Sequence, residues 1–195
     1  MNSNSQNEPY SYWEIDQLHS ELIFKIQHLM ISTLSGHISA FSVSVKTEGN
    51  DFGQVTDLLV TADVDSLSTG HEPRDEHLKS NDFFDTKLHP QITFEGLFFE
   101  KQGMDAPSHL SAYRRDFKLR GKLTIKGISR LILLEGEFGG MSVGLDGQRR
   151  AGFTVRGKIS REEFGLTWKG LTTAGKLVVS DEVNILGNLQ LIKKS

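Results

Sequence analysis

From Trp13 onward, apolar and polar residues alternate with a period of two along most of the 195-residue chain, and nothing else in it constrains the fold as strongly. A strand throws successive side chains to opposite faces, so strict alternation means one buried face and one wet face. Leu22, Phe24, Ile26 and His28 share a face, opposite Glu21, Lys25 and Gln27. Phe41, Val43 and Val45 stand opposite Ser42, Ser44 and Lys46, and Leu58, Val60, Ala62 and Val64 alternate with Asp57, Thr61 and Asp63. Further strands lie at Ile92, Phe94, Gly96 and Phe98, and at Phe117, Leu119, Gly121, Leu123 and Ile125. Leu131 to Leu134 is apolar throughout. Phe153, Val155 and Ile159 supply another strand, and Phe164, Leu166 and Trp168 a shorter one. The chain closes with Val183, Ile185, Leu189 and Ile192, where the alternation slips by one residue.

That makes about eight long strands, with turn chemistry at Glu48-Gly49-Asn50, Gly127-Ile128-Ser129 and Asp146-Gly147. One polar and one apolar face per strand is what an antiparallel sheet closed around an apolar interior requires. Gly96, Gly121, Gly157 and Gly187 fall inside strand patterns and suit the bends by which a sheet closes. The predicted fold is all-β, an eight-stranded antiparallel barrel. Such a barrel either fills itself with side chains or holds one small ligand.

The stretch Asp63 to Pro90 interrupts the alternation and alone reads as helical. Gly70 and Pro73 set up its start, since proline is tolerated in a first helical turn. Arg74 to Lys79 continue without a breaker, and Asn81-Asp82 end the run before Phe83-Phe84. The spacing predicts one short helical insert near residues 70–82, acting as a lid or plug on the barrel.

Composition narrows the function classes. A net charge of −3 draws the chain to neither nucleic acid nor anionic lipid. With no cysteine, disulfides, thiol nucleophiles and thiolate metal sites are excluded. The polar N-terminus has neither a basic region nor an apolar run, and no stretch is long and apolar enough to span a membrane. The expectations are a disordered tail over residues 1–11, a single domain over 12–195, and a cytoplasmic location.

Several motifs fit chemistry only superficially. Gly140-Met141-Ser142-Val143-Gly144 matches a nucleophile elbow, but the residues after it read as turn and strand, where the elbow needs a helix. Gly152 to Lys158 and Gly170 to Lys176 approach a phosphate-binding loop, yet Ile159 and Leu177 stand where the hydroxyl belongs. His71, His77 and His89 match no zinc spacing, so no metal site is expected. Asp75 and Asp82 read as a solvated helix face. His28 shares the apolar face of its strand, where it is either a hydrogen-bonded core histidine or a ligand contact. Arg74 either pairs with Asp75 or another acid, or faces a polar head group at the barrel mouth.

Three groups of residues carry a family resemblance. They are Trp13-x-Ile15-Asp16-x-x-His19-Ser20, the central Ser66-x-x-Thr69-Gly70 with Arg74-Asp75-x-His77-Leu78-x-Ser80-x-Asp82-Phe83-Phe84, and Arg161-x-x-Phe164-Gly165-Leu166-x-Trp168. Gly121-x-Leu123-Thr124-Ile125-x-Gly127 and Ser180-Asp181-x-Val183 extend it, so the resemblance runs from Trp13 to about Leu191. Together they resemble the YceI-like family of lipocalin-like, polyisoprenoid-binding proteins. The resemblance implies a lipocalin-like barrel holding a long apolar chain, such as a polyisoprenoid, an isoprenoid quinone or a fatty-acid derivative, without transforming it. No cofactor is expected, and the resemblance implies that some members pair as homodimers. The candidate ligand-binding residues are Phe24, Ile26, His28, Phe41, Arg74, Phe83, Phe84, Phe94, Leu123, Phe153, Phe164 and Trp168. An enzyme acting on such a lipid, with His28 as base, and an interaction module with a filled barrel are the rival readings.

Overall fold

The computed structural model describes residues 9–49, 52, 54–101, 116–171, 173 and 178–194. Its strands are β1 (Tyr10–Ile15), β2 (Glu21–His28), β3 (Ser32–Ile38), β4 (Phe41–Glu48), β5 (Gln54–Asp63), β6 (Leu67–Ser68), β7 (Gln91–Lys101), β8 (Asp116–Ile125), β9 (Ile128–Val143), β10 (Arg149–Ser160) and β11 (Val179–Lys193). Eight of them close into an antiparallel barrel in the order β1-β4-β5-β7-β8-β9-β10-β11, with β11 returning to β1. The three others lengthen barrel strands. A single turn at Gln17–His19 separates β1 from β2, and β11 serves both, pairing Leu191–Lys193 with β1 and Val179–Asn188 with β2. Full closure leaves the barrel no free edge where β1 meets β11.

The seam closes on Trp13. Its side chain is fully buried, and its indole N–H donates to Thr47 Oγ1 at 3.3 Å. β1 takes in Tyr10 and Ser11, two residues that polarity alone assigns to the tail.

One α-helix occurs among the described residues, α1 at Glu72–Lys79, inside the window read from sequence. His71 caps it, its ring nitrogen accepting from Arg74 N at 3.3 Å, and Pro73 sits in the first turn. No helix among the described residues is long and apolar enough to cross a membrane.

In two strands the alternation runs differently from its sequence reading. Gly96 pairs with Gly121 but Phe98 with Arg120, so Leu97 is an extra residue on β7. This β-bulge reverses the phase. Phe98 therefore turns out to 58% exposure, and Phe99 takes the inward position. On β11 there is no slip near the end. Its register with β10 is unbroken from Glu182 to Ile192, and Leu191 points inward where the sequence suggested Ile192. The β8–β9 turn is Lys126-Gly127, both at positive φ (50° and 73°), one residue earlier than composition suggests. That is the two-residue turn whose twist suits a hairpin.

Ser142 lies within β9, which runs through the tight turn Gly144–Gln148 into β10, with Gly144 N donating to Gln148 O at 2.9 Å. There is no strand-to-helix elbow. Gly152 to Lys158 lies within β10. Residues 102–115 and most of 172–177 lie outside the described residues, and with the latter much of the Gly170 to Lys176 motif.

Candidate ligand-binding site

Inward-facing side chains from the barrel strands leave a cavity of about 410 Å³, within the usual size range of small-molecule sites. Its wall is almost wholly aliphatic and aromatic. β4 contributes Phe41, Val43 and Val45, β5 contributes Leu58, Val60 and Ala62, and β8 contributes Phe117, Leu119, Leu123 and Ile125. Glycines make room for the larger rings. Phe94 lies over Gly121 and Phe117 over Gly136, where an added Cβ would meet the rings at 2.1 and 2.0 Å.

At the end of the barrel carrying the β4–β5 and β9–β10 turns, aromatic rings interlock. Phe52 packs 4.7 Å from Trp13 and 4.8 Å from Phe153, and Phe138 lies 5.1 Å from Phe153. Phe117 joins at 6.1 Å from Phe153, stacked on Phe99 at 4.6 Å. Such tilted and edge-on contacts are the favoured geometry of ring pairs.

The opposite end carries α1 and the chain that joins β10 to β11. His77 stands edge-on to Phe83 at 5.1 Å and to Trp168 at 5.2 Å, and Phe83 lies 5.4 Å from Trp168. His77 Nε2 also meets Asp82 Oδ2 at 3.2 Å, and Lys126 Nζ donates to Asn81 O at 3.2 Å, which ties this lid to the β8–β9 turn.

Asp75 anchors the lid and is not the solvated residue that helix spacing suggests. It is 8% exposed and accepts from Ser68 Oγ at 3.0 Å, Thr69 N at 2.9 Å and the Thr69 hydroxyl. Burial pushes its carboxyl up, but these bonds and the Arg74 charge together hold it below the ordinary carboxylate range. Asp82 is exposed, as a solvated face requires. Arg74 donates to Thr69 rather than to an acid, from Nε to Oγ1 at 2.7 Å and from Nη2 to the carbonyl at 3.0 Å.

The hydrogen-bonding side chains on the cavity wall gather at the lid end: His28, Thr69, Arg74, His77, Arg161 and the Trp168 indole. All of the residues singled out from sequence line the cavity except Phe164. Phe164 ends a one-turn 3-10 helix (Glu162–Phe164), where the sequence read a strand, and its fully buried ring packs in the core cluster with Phe94, Leu123 and Ile125. Strand geometry is lost there, yet Leu166 and Trp168 both still line the cavity.

Thr69, His77 and Arg161 were not singled out from the sequence as site residues. A signal for Arg161 was present. The inward phase of β10 runs Phe153, Val155, Gly157, Ile159 and arrives at Arg161 two residues later. Arg161 is 3% exposed, and its guanidinium donates from Nε to Ser180 O at 3.0 Å and from Nη1 to Leu166 O. Gly165, at φ 74°, turns the chain so that the Leu166 carbonyl reaches it. Nearby, Asp181 accepts from Glu162 N at 3.0 Å. Burial raises its carboxyl, while the Ser160 and Glu162 bonds and the Arg161 charge bring it below its usual value.

A closed antiparallel barrel with an apolar lumen, a helical lid and its polar groups gathered at one end is a lipocalin-like barrel. The YceI-like domain model matches residues 13–191, and the chain belongs to that family. A UPF0312 protein of Staphylococcus aureus (strain N315) is 36% identical over 170 residues, which is 85% of this chain and 89% of the relative. Among solved structures, the YceI protein of Campylobacter jejuni is 32% identical with a TM-score of 0.69, covering 88% of this chain and 91% of that one. A polyisoprenoid-binding domain of Saccharophagus degradans superposes with a TM-score of 0.63 at 16% identity, over 95% of this chain and 99% of that one. At that identity the likeness is one of fold.

Proposed function

We propose that this protein binds one elongated apolar small molecule in the barrel lumen, a polyisoprenoid, an isoprenoid quinone or a fatty-acid derivative, and carries it without chemical change. The observation that carries the reading is the 410 Å³ cavity, walled by apolar side chains from the interlocked rings at one end to the lid at the other. Each methylene removed from water contributes about 0.8 kcal/mol, so a long chain is held by such a wall with few polar contacts. The fold is one on which a polyisoprenoid-binding domain of Saccharophagus degradans is also built. Mass spectrometry of an organic extract of the purified protein tests the reading. The expected result is an isoprenoid or acyl lipid at near-stoichiometric amount. A lipid-free extract, together with no binding of added polyprenols or fatty acids, rejects it.

A further inference from the structure

At the lid end of the lumen, one buried donor lacks an acceptor. Arg161 is only 3% exposed and lines the cavity, and its Nη2 has no hydrogen-bond partner among the described residues. Its two other nitrogens complete a structural task, holding the Ser180 and Leu166 carbonyls and so fixing the path from β10 to β11. No carboxylate among the described residues stands within ion-pair distance of it. The nearest in charge influence, Asp181, is engaged by the Glu162 N–H and the Ser160 hydroxyl. A guanidinium cannot shed its proton, so burial cannot neutralise it as it would a lysine or a histidine. A buried cation with an unused donor is stable only with an acceptor opposite it, preferably an anion.

We infer that Arg161 Nη2 is the head-group anchor of the lumen, and that the ligand is an amphiphile whose apolar chain ends in an anionic oxygen, a phosphate or a carboxylate. This rests on the lumen reading above. Direction follows from placement. The head sits under the lid, beside Arg161 and Trp168, and the tail runs toward Phe153 and Phe52. A bond from an ionised donor to an ionised acceptor in a dry site is among the stronger polar contacts available to a protein. Arg74, half-buried on the same rim, adds positive potential to that end. His28, which strand alternation leaves as either a core histidine or a ligand contact, becomes a neighbour of the head rather than its anchor.

The test is a matched set of probes: farnesyl phosphate, palmitate, farnesol and inorganic phosphate, titrated calorimetrically against the intact protein at neutral pH. Farnesyl phosphate is expected to bind at least about tenfold more tightly than farnesol, roughly 1.4 kcal/mol. Arg161→Gln is expected to abolish that preference. Palmitate matching farnesyl phosphate assigns any anionic head. Palmitate matching farnesol narrows the anchor to phosphate. Because Arg161 also ties down a loop, a second readout uses the wild-type protein: the guanidinium nitrogen NMR signals of Arg161 should shift on adding farnesyl phosphate but not farnesol. Equal binding of farnesol and farnesyl phosphate, with unshifted Arg161 signals, overturns the anchor while the lumen reading stands. Competition by inorganic phosphate as strong as by farnesyl phosphate overturns the amphiphile. Failure of every chain-bearing probe to bind overturns the lumen reading and the anchor with it.

Discussion

At the residue scale, the glycines beneath rings and the tryptophan under the lid make the sharpest claims. Gly136 leaves no space for a methyl group, because Phe117 lies where the Cβ would go, and Phe117 is itself held between Phe99 and Phe153. Gly136→Ala should therefore cost about 1–3 kcal/mol by overpacking, read as a lower urea midpoint at unchanged slope. A neutral result would mean that the ring relaxes freely. The two tryptophans are set apart by the fold. Trp13 is sealed in the seam with its N–H bonded to Thr47, whereas Trp168 lines the cavity against His77 and Phe83. Adding a polyprenyl quinone should quench wild-type fluorescence, and most of the change should vanish in Trp168→Phe. Quenching of the same size in that variant would place the ligand away from the lid.

At the element scale, α1 is held by one buried carboxylate more than by its own sequence. Eight residues are too few for a helix that stands alone in water, so its order comes from what it docks on. Asp75 supplies the dock through Ser68 and Thr69. A carboxyl whose folded-state pKa is depressed adds stability above its unfolded pKa of about 3.9, and that stability is lost as pH falls through the lower folded value. Asp75→Asn should accordingly lower the melting temperature and raise hydrogen exchange in α1 at pH 7. The gap to wild type should narrow below about pH 4. A gap that stays constant from pH 7 to pH 3 would show that charge plays no part. Phe83 completes the lid against His77 and Trp168. Phe83→Ala should speed ligand dissociation more than it slows association, measured by stopped-flow release from loaded protein. Unchanged release would mean that the ligand leaves elsewhere.

At the scale of the whole molecule, closure and cavity act together. The barrel spends its apolar surface on a wall instead of a filled centre, and a bound chain supplies the missing contacts. A ligand that binds only the folded barrel stabilises it by about 2.7 kcal/mol at a hundredfold excess over Kd. For a chain of this length that corresponds to roughly 5–11 °C in Tm, rising further with ligand concentration. A Tm that is independent of polyprenol or fatty-acid concentration would set lumen binding aside.

The sequence by itself determined the number of long strands, their antiparallel closure, the helical window and the inward face of β2, β4, β8 and β10. It could do so because period two is a local property, written in neighbouring residues and independent of what lies across the sheet. What a strand faces is decided by its partner. The extra residue at Leu97 exists only relative to Gly121 and Arg120, so the reversal that turns Phe98 out and Phe99 in is not visible along β7 alone. The phase of the end of β11 is likewise set by its unbroken pairing with β10. The site divides in the same way. Apolar lining residues such as Phe24, Phe41, Phe94 and Phe153 were legible from alternation, while the burial of Asp75 and the isolation of Arg161 Nη2 were not. Both depend on how the chain bends back on itself: Asp75 meets Ser68 and Thr69 across the turn into α1, and Arg161 meets Leu166 across Gly165 and Ser180 at the start of β11. The cavity too belongs to the tertiary structure, because it is the difference between the circumference fixed by eight paired strands and the volume of the side chains inside.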